Sequence, residues 1–160
     1  MGVKANIKSL NPNGFKNVVK SYEKQLRIIL NTSGNMVKNT AVQSILSGGG
    51  GGRTYELYKP RRTHTASAPG QPPKSDTGFL ANHIAVNLDK RNLAVDVESK
   101  ADYSIHLEFG TQNMKARPFM FPALEENKPK IRRMFANIKG KPKWVYIQKH
   151  YKLQFFHYWV

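Results

Sequence analysis

Residues 107–124 read LEFGTQNMKARPFMFPAL, and three backbone signals punctuate them. Gly110 closes a short helical turn over ADYSIHLEFG, because glycine accepts the left-handed geometry that ends a helix. Pro118 disfavours a helical Arg117, so MKARPF reads as extended. Pro122 suits the first position of a new helix. The stretch is therefore a turn, an extended link and a helix start. Phe119 and Phe121 alternate about Met120, so an extended backbone sends both rings to one face as core or interface anchors. Glu108 and Arg117 flank the link and can pair bidentately across it. Left on the surface such a pair contributes ~0–1 kcal/mol; buried at a contact, loss of one partner costs ~3–5 kcal/mol.

Beyond Pro122 the chain reads as helix. Glu125 and Glu126 fall in its first turn and Lys130, Arg132 and Arg133 later, an order that complements the helix dipole. Ile131, Met134, Phe135 and Ile138 mark its buried face. Pro129 conflicts with a continuous helix, since its ring meets the carbonyl of Glu125; the helix either kinks there or begins near Asn127. No acidic residue follows Glu126. The closing stretch KGKPKWVYIQKHYKLQFFHYWV interleaves lysines with Trp144, Tyr146, Tyr151, Phe155, Phe156, Tyr158 and Trp159. It reads as sheet-completing strand, as a partner-docking arm with aromatic anchors, or as a platform for single-stranded nucleic acid.

Upstream of the joint, Val86–Leu88 and Leu93–Val97 alternate apolar and polar around DKRN, a hairpin without a glycine turn. Asp76 or Thr77 caps a short helix, GFLANHI. The proline-rich KPRRTHTASAPGQPPKSDTG reads as an extended surface loop, and TYELY before it as a strand. SGGGGGRT is a mobile loop; it lacks the preceding strand, terminal Gly-Lys-Ser/Thr and following helix of a phosphate-binding loop. From Phe15 to Leu46 apolar residues recur with the 3.6-residue rhythm of an amphipathic helix. Asn13-Gly14 marks its start, and NTSGN around Gly34 is a place for a kink or a break. The fold class is thus α+β: a long N-terminal helix and a C-terminal helix packed on a small antiparallel sheet, with long flexible loops.

The chain has 160 residues, 26 Lys and Arg against 10 Asp and Glu, and no cysteine. A formal charge of +16 favours polyanionic partners: nucleic acid, an anionic membrane or an acidic protein surface. The missing cysteines exclude disulfides, thiolate nucleophiles and cysteine-based zinc sites. No stretch approaches the ~20 apolar residues of a membrane span, and Asn6 stands where N-myristoylation requires Ser or Thr. His64, His83, His106, His150 and His157 are scattered, without the i, i+4 spacing of a zinc helix. Asp102 and Glu108, six apart, share no helix face well enough for paired acid–base work. Ser67 and Ser75 have no evident general base. The expectation is a protein that is not an enzyme and carries no cofactor or metal.

SAPGQPPKSDTGFLANHI, a hairpin, then ADYSIHLEFGTQNMKARPFMFPALEE together resemble the tail-component family of lambdoid tailed bacteriophages, over roughly residues 10–138. The ordered set carries the resemblance: a proline-rich loop into Asp-Thr-Gly, then Leu-Glu-Phe-Gly-Thr, Ala-Arg-Pro-Phe and Pro-Ala-Leu-Glu. It implies a head–tail joining, or tail completion, α+β domain over residues 1–138, and a basic aromatic extension over 139–160 lies outside the shared pattern. It also implies a structural virion protein that forms an oligomeric ring at the head–tail junction, as a neck, tail completion or tail terminator component, and seals the DNA conduit. Expected partners are further copies of the chain (a hexamer being one candidate), neighbouring neck, connector and tail-tube proteins, and packaged DNA, with no membrane. The location implied is the virion, after assembly in the host cytoplasm. Leu107, Glu108, Phe109, Gly110, Thr111, Arg117, Pro118, Phe119 and Phe121 fall in the family's signature and are assigned to packing and ring contacts. Trp144, Tyr146, Tyr151, Phe155, Phe156 and Trp159 form a candidate docking tail. Pro129 and the aromatic tail depart from the family pattern. The rival function is a basic nucleic-acid-binding protein, on the strength of charge and tail.

Overall fold

A computed structural model describes residues 12–139, with side chains from Lys16 onward. The tail anchors Trp144, Tyr146, Tyr151, Phe155, Phe156 and Trp159 lie outside the described residues. The expected α+β architecture is present. Helix α1 (Pro12–Leu46) leads into strands β1 (Thr54–Tyr58) and β2 (Arg61–Thr65), a short helix α2 (Phe79–Asn82) and strands β3 (Ile84–Asp89) and β4 (Ala94–Ser99); α3 (Ser104–Phe109) and α4 (Met120–Ala136) complete it. The strands form two separate antiparallel hairpins, β1–β2 and β3–β4.

Helix α1 is the spine, packing on α4, β3, β4 and α2. Leu26, Val37, Ala41 and Ile45 from the sequence's apolar stripe are buried, whereas Val18, Val19 and Ile28 remain exposed. Gly34 neither breaks nor ends the helix. A β-carbon there would lie 2.7 Å from Val86 Cγ1 and 2.7 Å from Val95 Cγ2. Glycine is the notch through which the β3–β4 hairpin reaches the helix backbone. That hairpin pairs Val86 with Val97 and Leu88 with Val95, the alternation expected of a half-buried ribbon. Its glycine-free turn is closed by Asp89, whose carboxylate accepts the N–H groups of Arg91 (2.8 Å) and Asn92 (3.1 Å). Those bonds, the one from Asn92 first, hold the Asp89 carboxyl below its ordinary value.

Two readings of the loops change. Arg61–Thr65 is a strand paired with β1 rather than surface loop; its face is too polar to show an apolar alternation. Asp76 caps nothing: it accepts from Arg62 Nη2 at 2.7 Å and lies 3.7 Å from His64 Nδ1. The start of α2 is served by the other expected candidate, Thr77, whose Oγ1 accepts the Phe79 N–H, and by Ser75, whose Oγ accepts that of Gly78. The glycine loop is tethered where Gly51 and Gly52 donate to the Ala66 carbonyl.

Helix α4 runs along α1. Asn127 is buried between them and donates through Nδ2 to Thr40 Oγ1 and to the Ala123 carbonyl, both at 2.8 Å. At the far end Gln25 and the Lys139 backbone exchange two hydrogen bonds. The helix begins at Met120, so Glu125 and Glu126 fall beyond its first turn, and it continues through Pro129. The Glu125 carbonyl has no N–H to receive at that point. Replacing Pro129 with alanine is therefore expected to raise unfolding stability by up to ~3 kcal/mol. Chemical denaturation of the two proteins measures it; an unchanged or lower midpoint would show that the proline shapes α4 to fit α1.

Candidate functional site

The stretch 107–124 folds as the expected turn, link and helix, with different internal partners. Gly110 ends α3 at φ 80° and ψ −177°, donating its N–H to the His106 carbonyl. A β-carbon would sit 2.7 Å from the Met114 carbonyl oxygen and 2.9 Å from the Ala116 nitrogen. Positive φ and close backbone approach both demand glycine. Thr111 and Met114 then bridge antiparallel across a tight turn, the Thr111 N–H donating to the Met114 carbonyl at 2.7 Å. The link returns beside α3, where the Arg117 N–H donates to the Leu107 carbonyl at 2.6 Å.

Glu108 and Arg117 form no ion pair, a correction to the sequence reading. The Glu108 carboxylate instead accepts three successive backbone N–H groups: Phe119 at 2.8 Å and Met120 at 3.0 Å on Oε2, and Phe121 at 2.9 Å on Oε1. A helix leaves its first four N–H groups without internal acceptors. Here one carboxylate takes three, and the fourth position is Pro122, which has no N–H. The helix start is fully satisfied, and the negative charge sits at the positive end of the helix dipole. The charge attraction that suggests an arginine partner is met by the amides.

Arg117 faces the other way. Its Nε donates to the Ser67 carbonyl at 3.2 Å and its Nη1 to the Lys115 carbonyl at 3.4 Å. With the Gly70 N–H donating to the Ala116 carbonyl at 2.9 Å, these bonds stitch the proline-rich segment to the link. Pro118 is half-buried and keeps Arg117 extended. Phe119 is 1% exposed, among Val37, Ala41, Ile84 and Ala123 of the core. Phe121 is 58% exposed. The two rings do not share a face, because helix begins at Met120 and the period-two alternation ends there. Phe109, at the end of α3, is 73% exposed.

Beside the joint lies an open cleft of about 310 Å³, with Ile45 and Leu80 among its lining residues and Phe79, Tyr103, Leu107, Lys74 and Arg117 around them. The rings of Phe79 and Tyr103 stand 6.2 Å apart, and burial pushes the Tyr103 phenol above its ordinary value. Ser67, His64 and Asp76 also line the cleft. They do not form a catalytic triad: Ser67 is buried, its Oγ has no hydrogen-bond partner, and Asp76 is engaged with Arg62. Sequence reasoning weighed Ser67 only as a nucleophile without a base and missed its burial, and it missed Phe79 as a wall of the cleft. Nothing in SAPG or DTGF marks a buried hydroxyl or an aromatic wall. Among the described residues no His, Asp and Glu cluster could hold a metal ion, and no helix is long and apolar enough to cross a membrane.

No family model matches the chain, and neither a curated protein nor a solved structure matches it.

Proposed function

We propose that this chain is a structural virion protein of a tailed bacteriophage, acting as a ring of copies at the head–tail junction and performing no chemical turnover. One observation carries the reading. At the signature joint the polar groups are spent on backbone, Glu108 on the start of α4 and Arg117 on Ser67 and Lys115, while the rings of Phe109 and Phe121 stand in solvent. A segment built this way is braced against movement and presents apolar surface, the arrangement of a contact site. The order of motifs along residues 67–126 supports the phage assignment. On this reading rigid subunits bury side chains between neighbours, and the positive charge meets an acidic ring of the next neck or tail component, or DNA in the channel.

Light scattering on the full-length chain, alone and mixed with the connector and tail-tube proteins of its phage, tests this reading. The expected result is a discrete mass several times that of the 18.2 kDa chain, formed alone or on the connector. A monomer under every condition would contradict it.

The β1–β2 ribbon favours a second reading. Tyr58 is exposed at the turn before Lys59 and Arg61, and the Arg53 guanidinium lies 5.5 Å from the Tyr55 ring centroid. Cations interleaved with exposed aromatics suit a phosphate backbone. DNA binding that weakens steeply with salt, from a chain that forms no ring, would favour this function over assembly.

A further inference from the structure

Helix α1 extends beyond α4. The two helices run antiparallel: Asn127 meets Thr40, and twelve residues later Lys139 meets Gln25. The apolar stripe of α1 does not stop at Gln25. Val19 and Tyr22 precede Leu26 by seven and four residues, on the side of the helix that buries Leu26, and Val18 stands one turn before Tyr22. Yet Val18 and Val19 are exposed. An open groove of about 280 Å³ follows this overhang, lined by Asn17, Val18, Ser21, Tyr22, Gln25 and Lys139.

We propose that the groove seats the chain's own residues 144–147, WVYI, which lie outside the described residues. Direction and reach favour this occupant. The antiparallel course of α4 delivers the chain to the groove's edge at Lys139, which is itself part of the lining. Trp144 follows Lys139 by five residues, a span of up to about 17 Å at full extension. Val18 precedes Gln25 by seven helical residues, about 10 Å along the axis. A segment tethered so closely has an effective concentration of order mM, which a second copy or a separate partner must exceed.

Chemistry points the same way. Lys16, Lys20 and Lys24 each stand two residues from Val18 or Tyr22, about half a turn round the helix and so away from the groove. Its lining is neutral apart from Lys139, and it suits an uncharged apolar occupant rather than a polyanion. WVYI is the first apolar run after α4. Trp and Tyr each join a large apolar body to a polar tip, and Asn17 and Ser21 on the rim offer hydrogen-bonding partners to those tips. The proposal divides the aromatic tail: Trp144 and Tyr146 complete the subunit, while Tyr151, Phe155, Phe156 and Trp159 are left for a neighbour. It stands apart from the assembly reading and holds for a monomer as for a ring.

The chain has two tryptophans, Trp144 and Trp159, so Trp159→Phe leaves Trp144 as the only one. Acrylamide should quench its fluorescence several-fold less in the folded chain than in urea. Val18→Asp with Val19→Asp, both at exposed positions, should abolish that protection while the helical circular dichroism is retained. The absence of cysteine allows a second measurement that introduces no charge. Val18→Cys and Val145→Cys in one chain, joined by a short bismaleimide at low protein concentration, should link within a single chain and leave its mass undoubled. Trp144 quenched as fully in the folded chain as in urea would overturn the proposal. So would protection that survives both aspartates, which would place Trp144 elsewhere. Covalent dimers in place of the internal link would give the groove to a second copy.

Discussion

Glu108→Ala is expected to lower the stability of the folded chain by ~2–4 kcal/mol, since three N–H groups at the start of α4 lose their acceptor and each such cap contributes ~0.5–2 kcal/mol. The loss is not purely local. Helix α4 starts on Phe119, which is core, and continues into Asn127 and its bond to Thr40 on α1. Unfastening that start loosens the helix from the body. Glu108→Gln should fall between wild type and alanine, because the amide offers one acceptor oxygen and no charge. A double-mutant cycle with Arg117→Ala separates capping from ion pairing. Capping predicts a side-chain coupling below ~0.5 kcal/mol, whereas a buried ion pair would show several times that. Urea denaturation of the four proteins decides it, and strong coupling would restore the salt-bridge reading.

Phe119→Ala is expected to cost ~3–5 kcal/mol, the range for emptying a buried phenylalanine site. The cavity would open between α1, α4 and the β3–β4 hairpin, where Ala41, Ile84 and Ala123 are already small or fully enclosed. Domains of this size have total stabilities of only ~5–15 kcal/mol, so poor folding or insolubility is the practical outcome at 37 °C. Phe121→Ala, two residues on, should leave the midpoint within ~0.5 kcal/mol of wild type, as for an exposed side chain. Equal losses from the two substitutions would mean that both rings are buried together, as an extended backbone would have them.

Those two phenylalanines show where a sequence can be read and where it cannot. The long helix is legible because its 3.6-residue stripe spans many turns, and Ala41 and Ile45 of that stripe are fully buried. The β3–β4 hairpin is legible from alternation, and the backbone course of 107–124 from Gly110 and Pro118, while Pro122 sets the helix start two residues late, since α4 begins at Met120. The partners are not. Gly34 looks like a helix weakness because Val86 and Val95, which require it, lie more than fifty residues away in sequence. Glu108 suggests an arginine because side-chain charges are written in the sequence and orphan backbone amides are not. Arg61–Thr65 passes for loop because both faces of a polar, cationic ribbon meet water, leaving no apolar period to detect. Pro129 argues for a kink or for a helix that begins near Asn127, yet α4 begins at Met120 and packing against α1 carries it through the proline.

The joint divides one short stretch between the subunit and, on the proposed assembly reading, a neighbour. Its interior half, Glu108, Gly110, Arg117 and Phe119, is committed to the fold; its exterior half, Phe109 and Phe121, is free for a neighbour. Substitutions in the first set should act on folding and in the second on association.

The most direct measurement is a cryo-electron density map of the intact phage particle proposed to carry this chain, at a resolution that traces helices. The account predicts rotationally repeated copies of the α1–α4 body as a closed collar between the capsid portal and the tail tube. A complete particle whose collar contains no density for this chain would contradict it.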